Sequence, residues 1–442
     1  MSAGFSILKI AIIVLLYNLM GLPCHAKSLP AIGKIPEPLI SLESSKNTIV
    51  LVEKESQQLF LYQYDGEYRE ILRMKCSTGK VRGNKKESGD QKTPEGIYFC
   101  TREFTKKDLS PIYGTRAFPI DYPNPVDKIE GKNGSAIWLH GTNKPLKKRD
   151  SNGCIALNND DINRLASYVS LYRTPVILVD QLQYKRPEEN RDLKKSVVEF
   201  LNKWCRSFNA PSVSEYLKFY DDRAGLDDSF WKEWAPIRDR LQSAMGQISV
   251  GIQNLSVYRH EGLLVALFEQ VAQTRGLVSS AGSRKLYIKQ TKDRYKIIGD
   301  EFMTGADGGG GQSSSHPLIV ASMGLKKDFT VWKEVRGMVD GWLAAWTSKN
   351  INRYGRYYSK DFQAMNMDLT GWLKYKNGLN QQYGYINVGV DNLSISVNGN
   401  KSRVTFLQTY KSSGLSDVGF KELQLVREGG EWKIFREIWT EK

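Results

Sequence analysis

The sequence predicts a multidomain protein, a mainly β domain followed by two copies of an α+β domain, and three observations predict it. Strand-like apolar runs bounded by turn residues crowd residues 47–182. Aromatic residues recur in the C-terminal half at a constant spacing of 138 positions, as in Trp204/Trp342 and Tyr216/Tyr354. A Gly/Ser-rich tract, "TGADGGGGQSSSHP", lies between the two copies. A length of 442 residues accommodates several domains, and 40% hydrophobic with 25% charged residues is a globular composition.

The chain opens on "ILKIAIIVLLYNLMGLPCHA", one lysine followed by an apolar run of about 13 residues, where a membrane span needs about 20. The pattern reads as a secretory signal over residues 1–26, cleaved after Ala26, against the alternative of an uncleaved anchor. A lipoprotein signal through Cys24 fits less well, because Pro23 precedes it. The expected location is therefore outside the cytoplasm, in the periplasm or cell envelope, with no integral membrane span after cleavage. Residues 27–46 read as a spacer.

In the β block, "NTIVLVEKESQQLFLYQYDG" predicts two strands around a turn, and "TPEGIYFC", "SAIWLHG" and "TPVILVD" predict three more. One helix is expected in "DDINRLASYVSLY", with Asn159 or Asp160 capping its first turn. Cys76 and Cys100 sit in strand-like stretches, either as a disulfide or as two buried thiols, and Cys205 sits at helical spacing as a core residue.

Residues 183–195, including "KRPEENRDLKK", read as a linker. Beyond it, "FLNKWCRSFNAPSVSEYLKFYDD" and "VDGWLAAWTSKNINRYGRYYSKD" share Trp204/Trp342, Phe208/Trp346, Tyr216/Tyr354 and Tyr220/Tyr358. The same spacing aligns "VGIQNLSV" with "VGVDNLSI", and "RYKIIGDEF" matches "EWKIFREIW" one position out of register. The copies occupy residues 196–303 and 325–442, joined by a flexible linker at 304–324 that leaves them free to move relative to one another. An aromatic stripe on a first helix, followed by a strand meander, resembles the nuclear-transport-factor-2-like cone. The stripe is read as core, and neither copy shows a nucleophile or an acid–base pair.

The mature chain has three histidines. His316 falls in the linker and His260 after a strand, so both read as surface or turn residues. His140 ends the apolar strand "AIWLH", and Cys154 follows a polar turn, "SNGC", so both emerge from strands into loops. A histidine within reach of a cysteine can take its proton and leave a nucleophilic thiolate. Lys144, Lys147, Lys148 and Arg149 lie between the two and would add positive potential, if they are not simply a solvated loop. Gly153 removes side-chain bulk and leaves the amides of Asn152, Gly153 and Cys154 as oxyanion donors. One Cys and one His make too few ligands for a metal site.

"HGTNKP…SNGCIAL", preceded by "CSTGK" and "TPEGIY" and closed by "TPVILV", resembles the catalytic domain of the peptidoglycan L,D-transpeptidases over residues 47–182. The resemblance implies Cys154 as nucleophile, His140 as base, the Gly141 carbonyl as its orienter, and Ser151, Asn152 and Gly153 as the oxyanion and substrate turn. Thr93, Pro94 and Gly96 read as structural. It implies acyl transfer on peptidoglycan stem peptides through a thioester, with no metal or organic cofactor. Ala156 stands where transpeptidases commonly carry Arg or Asn. With "AFPIDYPNPVD" and the cone copies, that looks more like the cell-shape carboxypeptidase branch, so hydrolytic trimming stands beside cross-linking.

The formal charge of +15, from 63 basic and 48 acidic residues, fits anionic wall peptides or membrane surfaces. No nucleic-acid-binding motif accompanies it, and none is expected as a partner. Another wall or envelope protein docking on the repeats is the remaining partner class. In the competing reading the catalytic pair is idle and the chain is a wall-binding scaffold.

Overall fold

The computed structural model describes residues 33–42, 48–290, 294–304 and 316–441. Residues 1–26, expected to form a secretory signal, lie outside the described residues.

The N-terminal domain holds two sheets. The central one orders Tyr68–Lys75, Gln58–Tyr64, Thr48–Glu53, Pro175–Val179 and Gly96–Phe99. Its middle strands, "TIVLVE" and "PVILV", run parallel and are almost wholly buried, as their continuous apolar runs require of strands covered on both faces. The second sheet orders Ile155–Asn158, Trp138–Thr142, Arg116–Pro119 and Phe104–Thr105. Between the sheets lie Val50, Val52, Leu59, Leu139, Ile155, Leu157, Val176 and Leu178. Cys76 and Cys100 are free, buried thiols in that core.

The expected helix spans Asn159–Ala166 and is shorter than its apolar pattern. Its N-cap is Asn158, and neither Asn159 nor Asp160 caps it. Asn159 turns its Oδ1 to the Thr115 amide, 3.0 Å away, so its side chain is committed to the neighbouring sheet.

In the first cone, helices Glu189–Ser207 and Ser229–Met245 pack on a sheet ordered Tyr295–Thr304, Leu277–Gln290, Leu263–Thr274, Ser249–His260 and Leu39–Leu42. That last strand comes from the stretch read as spacer, and Ile35–Pro36 also pairs with Tyr184–Lys185. Leu39 and Ile40 are buried, and their strand covers the exposed edge of Ser249–His260. The linker expected at 183–195 likewise gives way to helix from Glu189.

The second cone repeats the plan, with Met367–Asp368, Tyr358–Ala364, Glu431–Glu441, Ser416–Glu428, Lys401–Ser412 and Ile386–Asn398 in order. The duplication extends to backbone irregularities. Asn254 and Asn392 both adopt positive φ, 55° and 54°, where each first long strand breaks register. Asparagine tolerates that left-handed conformation, which accounts for its presence in both copies.

One helix, Pro317–Thr347, joins the cones. Its start buries Leu318, Ala321 and Leu325 on the first cone, and its end places Val339, Trp342 and Trp346 in the core of the second. A helix packed into both bodies couples them, contrary to the free movement expected of residues 304–324. His316 is its N-cap, accepting from the Leu318 amide, and its ring stacks on Phe230 at 3.5 Å. It is a packed residue, not a surface one.

Candidate active site

Alternation along "AIWLHG" sends Ile137 and Leu139 into the core and turns Trp138 and His140 to the opposite face. Trp138 stacks on Phe104 and meets Tyr113 at a tilt, 4.8 Å between ring centres, and Tyr113 meets His140 edge-on at 5.1 Å. The strand Ile155–Asn158 runs parallel beside it, with Ile155 opposite Leu139 and Ala156 opposite His140. Cys154, one residue earlier, therefore enters the sheet next to the histidine strand.

His140 is buried, and its Nδ1 lies 2.6 Å from the Gly141 carbonyl oxygen. A carbonyl only accepts, so Nδ1 carries the proton and the neutral ring presents a lone pair at Nε2. Close packing explains the glycine that follows. A Cβ at Gly141 would meet Asn159 Oδ1 at 2.3 Å, and one at Gly114 would meet the same atom at 2.1 Å.

Cys154 is half-buried, with its Sγ 3.5 Å from the Ala136 carbonyl, and no hydrogen bond joins it to His140. Burial pushes the thiol up, opposed by a backbone hydrogen bond from Trp138 and the charge of Lys85. Burial pushes His140 down, opposed by its bond to Gly141. Both shifts favour a neutral thiol beside a neutral imidazole at rest.

The turn before the thiol is tied from both sides. Ser151 Oγ donates to the Cys154 carbonyl at 2.6 Å and accepts from the Gly153 amide at 3.1 Å. The Gly153 amide is thus engaged within the turn, contrary to its expected role as a free oxyanion donor. Gly153 itself has φ +128°, and a Cβ there would lie 2.9 Å from the Lys92 carbonyl oxygen. Asn152 Oδ1 accepts from Lys80 at 3.2 Å. Thr93 Oγ1 accepts from the Gly79 amide and donates to the Gly153 carbonyl, both at 2.8 Å, so the T-P-E-G turn anchors the cysteine turn.

The basic loop contributes less than its composition promised. Arg149 turns away to Glu55, 2.8 Å distant, and the cation acting on Cys154 is Lys85, buried and paired with Asp90 at 2.7 Å. Lys85, Tyr113 and Asn159 are the neighbours that sequence reasoning missed. Each lies outside the H-G…S-x-G-C pattern, and only "NN" at the helix start hinted at one of them.

Residues 47–178 match the model of the L,D-transpeptidase catalytic domain, and residues 196–301 and 334–438 each match the Cds6 C-terminal NTF2-like domain. The protein YafK from Escherichia coli K12 is 28% identical over 146 residues, 32% of this chain. The match spans 56% of that relative's length. The structure of Bd1075 from Bdellovibrio bacteriovorus aligns at 28% identity and a TM-score of 0.51, covering 62% of this chain and 99% of that one. The helical cell shape determining protein Pgp2 of Campylobacter jejuni, in a point-mutant form, aligns at 25% identity and a TM-score of 0.44, over 60% of this chain and 94% of that one. The chain carries an L,D-transpeptidase-family catalytic domain followed by two NTF2-like domains.

Proposed function

We propose that the protein is an exported, cysteine-dependent acyl-transfer enzyme acting on peptidoglycan stem peptides in cell-wall remodelling and cell shape. The observation that carries this reading is the placement of Cys154 beside a His140 whose Nδ1 proton is held by Gly141, within a domain of the L,D-transpeptidase family. The periplasm or envelope is the proposed location, on the strength of the N-terminal sequence.

In this mechanism the Cys154 side chain rotates from the Ala136 carbonyl toward His140 as substrate enters, and Nε2 takes the thiol proton during attack. A C–S bond forms at the amide carbonyl, typically that between diaminopimelate and D-alanine. The amides of Asn152 and Cys154 face the developing oxyanion. Collapse expels the amine, which receives the proton from the imidazolium and leaves a thioester on Cys154. An amine acceptor then yields a cross-link or a protein attachment, whereas water yields a trimmed peptide. Ala156, with only a methyl group beside His140 on the neighbouring strand, offers an acceptor no polar anchor and favours the hydrolytic outcome.

Mass spectrometry of muropeptides incubated with wild type and with Cys154→Ala tests the reading. Loss of alanine with a water added identifies trimming, and two joined muropeptides identify cross-linking. Identical peptides from both proteins would reject catalysis and favour the idle scaffold. Because the resting pair is neutral, alkylation of Cys154 by iodoacetamide should still accelerate above pH 9; a plateau reached below pH 7 would mean a preformed ion pair.

The second cone is proposed to hold the enzyme on the wall or on an envelope protein. Removing residues 337–442 spares Leu325 and Phe329, which pack on the first cone. Turnover of small soluble muropeptides should persist while action on intact sacculi falls. Undiminished action on sacculi would rule out the targeting role.

A further inference from the structure

The catalytic domain and the first cone meet along a buried apolar seam, and at its rim three ligand-type side chains converge. Glu95 comes from the T-P-E-G turn of the catalytic domain. His260 ends the strand Ser249–His260 of the cone, and Glu261 opens the turn after it. One ligand atom from each lies within 4.8 Å of the others. Sequence reasoning took His260 for a surface or turn residue; it does precede a turn, but its side chain is only 13% exposed.

Its Nε2 is buried and has no hydrogen-bond partner. The nearest carboxylate oxygen, on Glu261, stands 3.9 Å away, too far for a hydrogen bond. Two atoms each about 2.0–2.2 Å from a shared zinc ion lie roughly 3.3 Å apart at tetrahedral angles. Glu261 is exposed on its turn and free to close the difference. Lys54 engages Oε1 of Glu95 at 2.6 Å and leaves Oε2 available, and Arg259 faces Glu37 at 2.8 Å, a carboxylate it shares with Lys185. A cavity of about 170 Å³ opens beside the three residues, enough for a cation and the waters that complete its shell.

We propose that Glu95, His260 and Glu261 form a divalent-cation site, suited to zinc, that clamps the catalytic domain to the first cone. One imidazole and two carboxylates give three protein ligands with a fourth position for water, a donor set that zinc accepts. The clamp reaches the catalytic turn through few contacts. Lys54, held by Glu95, also donates to the Thr93 carbonyl at 3.1 Å, and Thr93 holds the Gly153 carbonyl. Metal loading therefore steadies the turn that presents Cys154.

The test uses the mature Cys154→Ala protein, stripped of metal with chelator, so that the catalytic thiol cannot itself capture zinc. Calorimetric titration with zinc should give one site per chain, and zinc should raise the unfolding temperature. In the same background Glu261→Gln, on an exposed turn where folding is not at stake, and His260→Gln should each weaken binding by at least about tenfold. They should also remove the thermal shift. No zinc bound, or zinc bound undiminished by Glu261→Gln, would overturn the proposal.

Discussion

The two cones share a fold and an interior but differ in what covers their sheets. In the first, Val265, Leu267, Tyr258, Tyr287 and Ile298 face the catalytic domain and are buried against Ile49, Leu51, Ile97 and Phe99. The matching positions of the second cone are Arg403, Thr405, Ser396, Gln424 and Phe435, on a face exposed to solvent or only partly covered. "LLVALF" against "KSRVTF" is the same strand written for two-sided and for one-sided burial. The first copy has become part of the enzyme body, and the second keeps a solvent-exposed outer face that mixes polar residues with exposed Val418, Phe420 and Ile438.

Inside, the copies agree closely. Trp204 donates to the Tyr220 hydroxyl, which contacts Tyr216 and donates to Asp300, and Arg284 clamps that carboxylate. Trp342, Tyr358, Tyr354, Glu437 and Lys421 repeat the arrangement. The exception is the position of Arg238 and Lys376. Arg238 finds the Ala210 carbonyl at 2.8 Å, whereas the Lys376 ammonium sits over Trp346 and Trp372, at 4.1 and 4.6 Å. Burial lowers its pKa to about 7.

The largest contrast should come from the outer faces. Leu267→Arg places a charge in the seam and should cost more than about 4 kcal/mol, whereas Thr405→Arg should stay within about 0.5 kcal/mol. Urea denaturation measures both, and equal losses would break the distinction between the cones. Next, Arg284→Met and Lys421→Met each strand a buried carboxylate and should each lose about 3 kcal/mol. A loss in one copy alone would show that the interiors are not equivalent.

The smallest effect concerns Lys376→Met. Below pH 7 the lysine is charged in both folded and unfolded chains, so its burial penalty is fully present. Between pH 7 and its ordinary value of 10.5 the unfolded chain holds more protons, and wild-type stability rises with pH. The variant should therefore melt about 4 °C or more above wild type at pH 7, with the gain shrinking toward pH 10.5. A gain that grows with pH would contradict the assignment.

Much of this was legible because it is local or periodic. The duplicated aromatic stripe, the paired "QNLS" and "DNLS" bulges, and the H-G…S-x-G-C segment are written in contiguous residues. What escaped depends on distant partners. The strand Leu39–Leu42 exists because Ser256 and Val257, more than 200 residues away, offer it an edge. His316 lies next to a glycine-rich tract yet caps a helix and packs on Phe230, and composition alone does not show which side of that boundary it joins. The Gly153 amide is taken by a serine hydroxyl two residues back, and a sequence does not record where a side-chain oxygen points.

The most direct measurement of the central claim is the mass of the intact protein after exposure to a carbapenem-type β-lactam at pH 7, with peptide mapping of the adduct. The account predicts one acyl group on Cys154 of the wild type and none on Cys154→Ala. It also predicts acylation of His140→Ala at least about 100-fold slower, as loss of a general base requires. An adduct on Cys76, Cys100 or Cys205, or no adduct on folded protein, would contradict the assignment of Cys154 as nucleophile and His140 as its base.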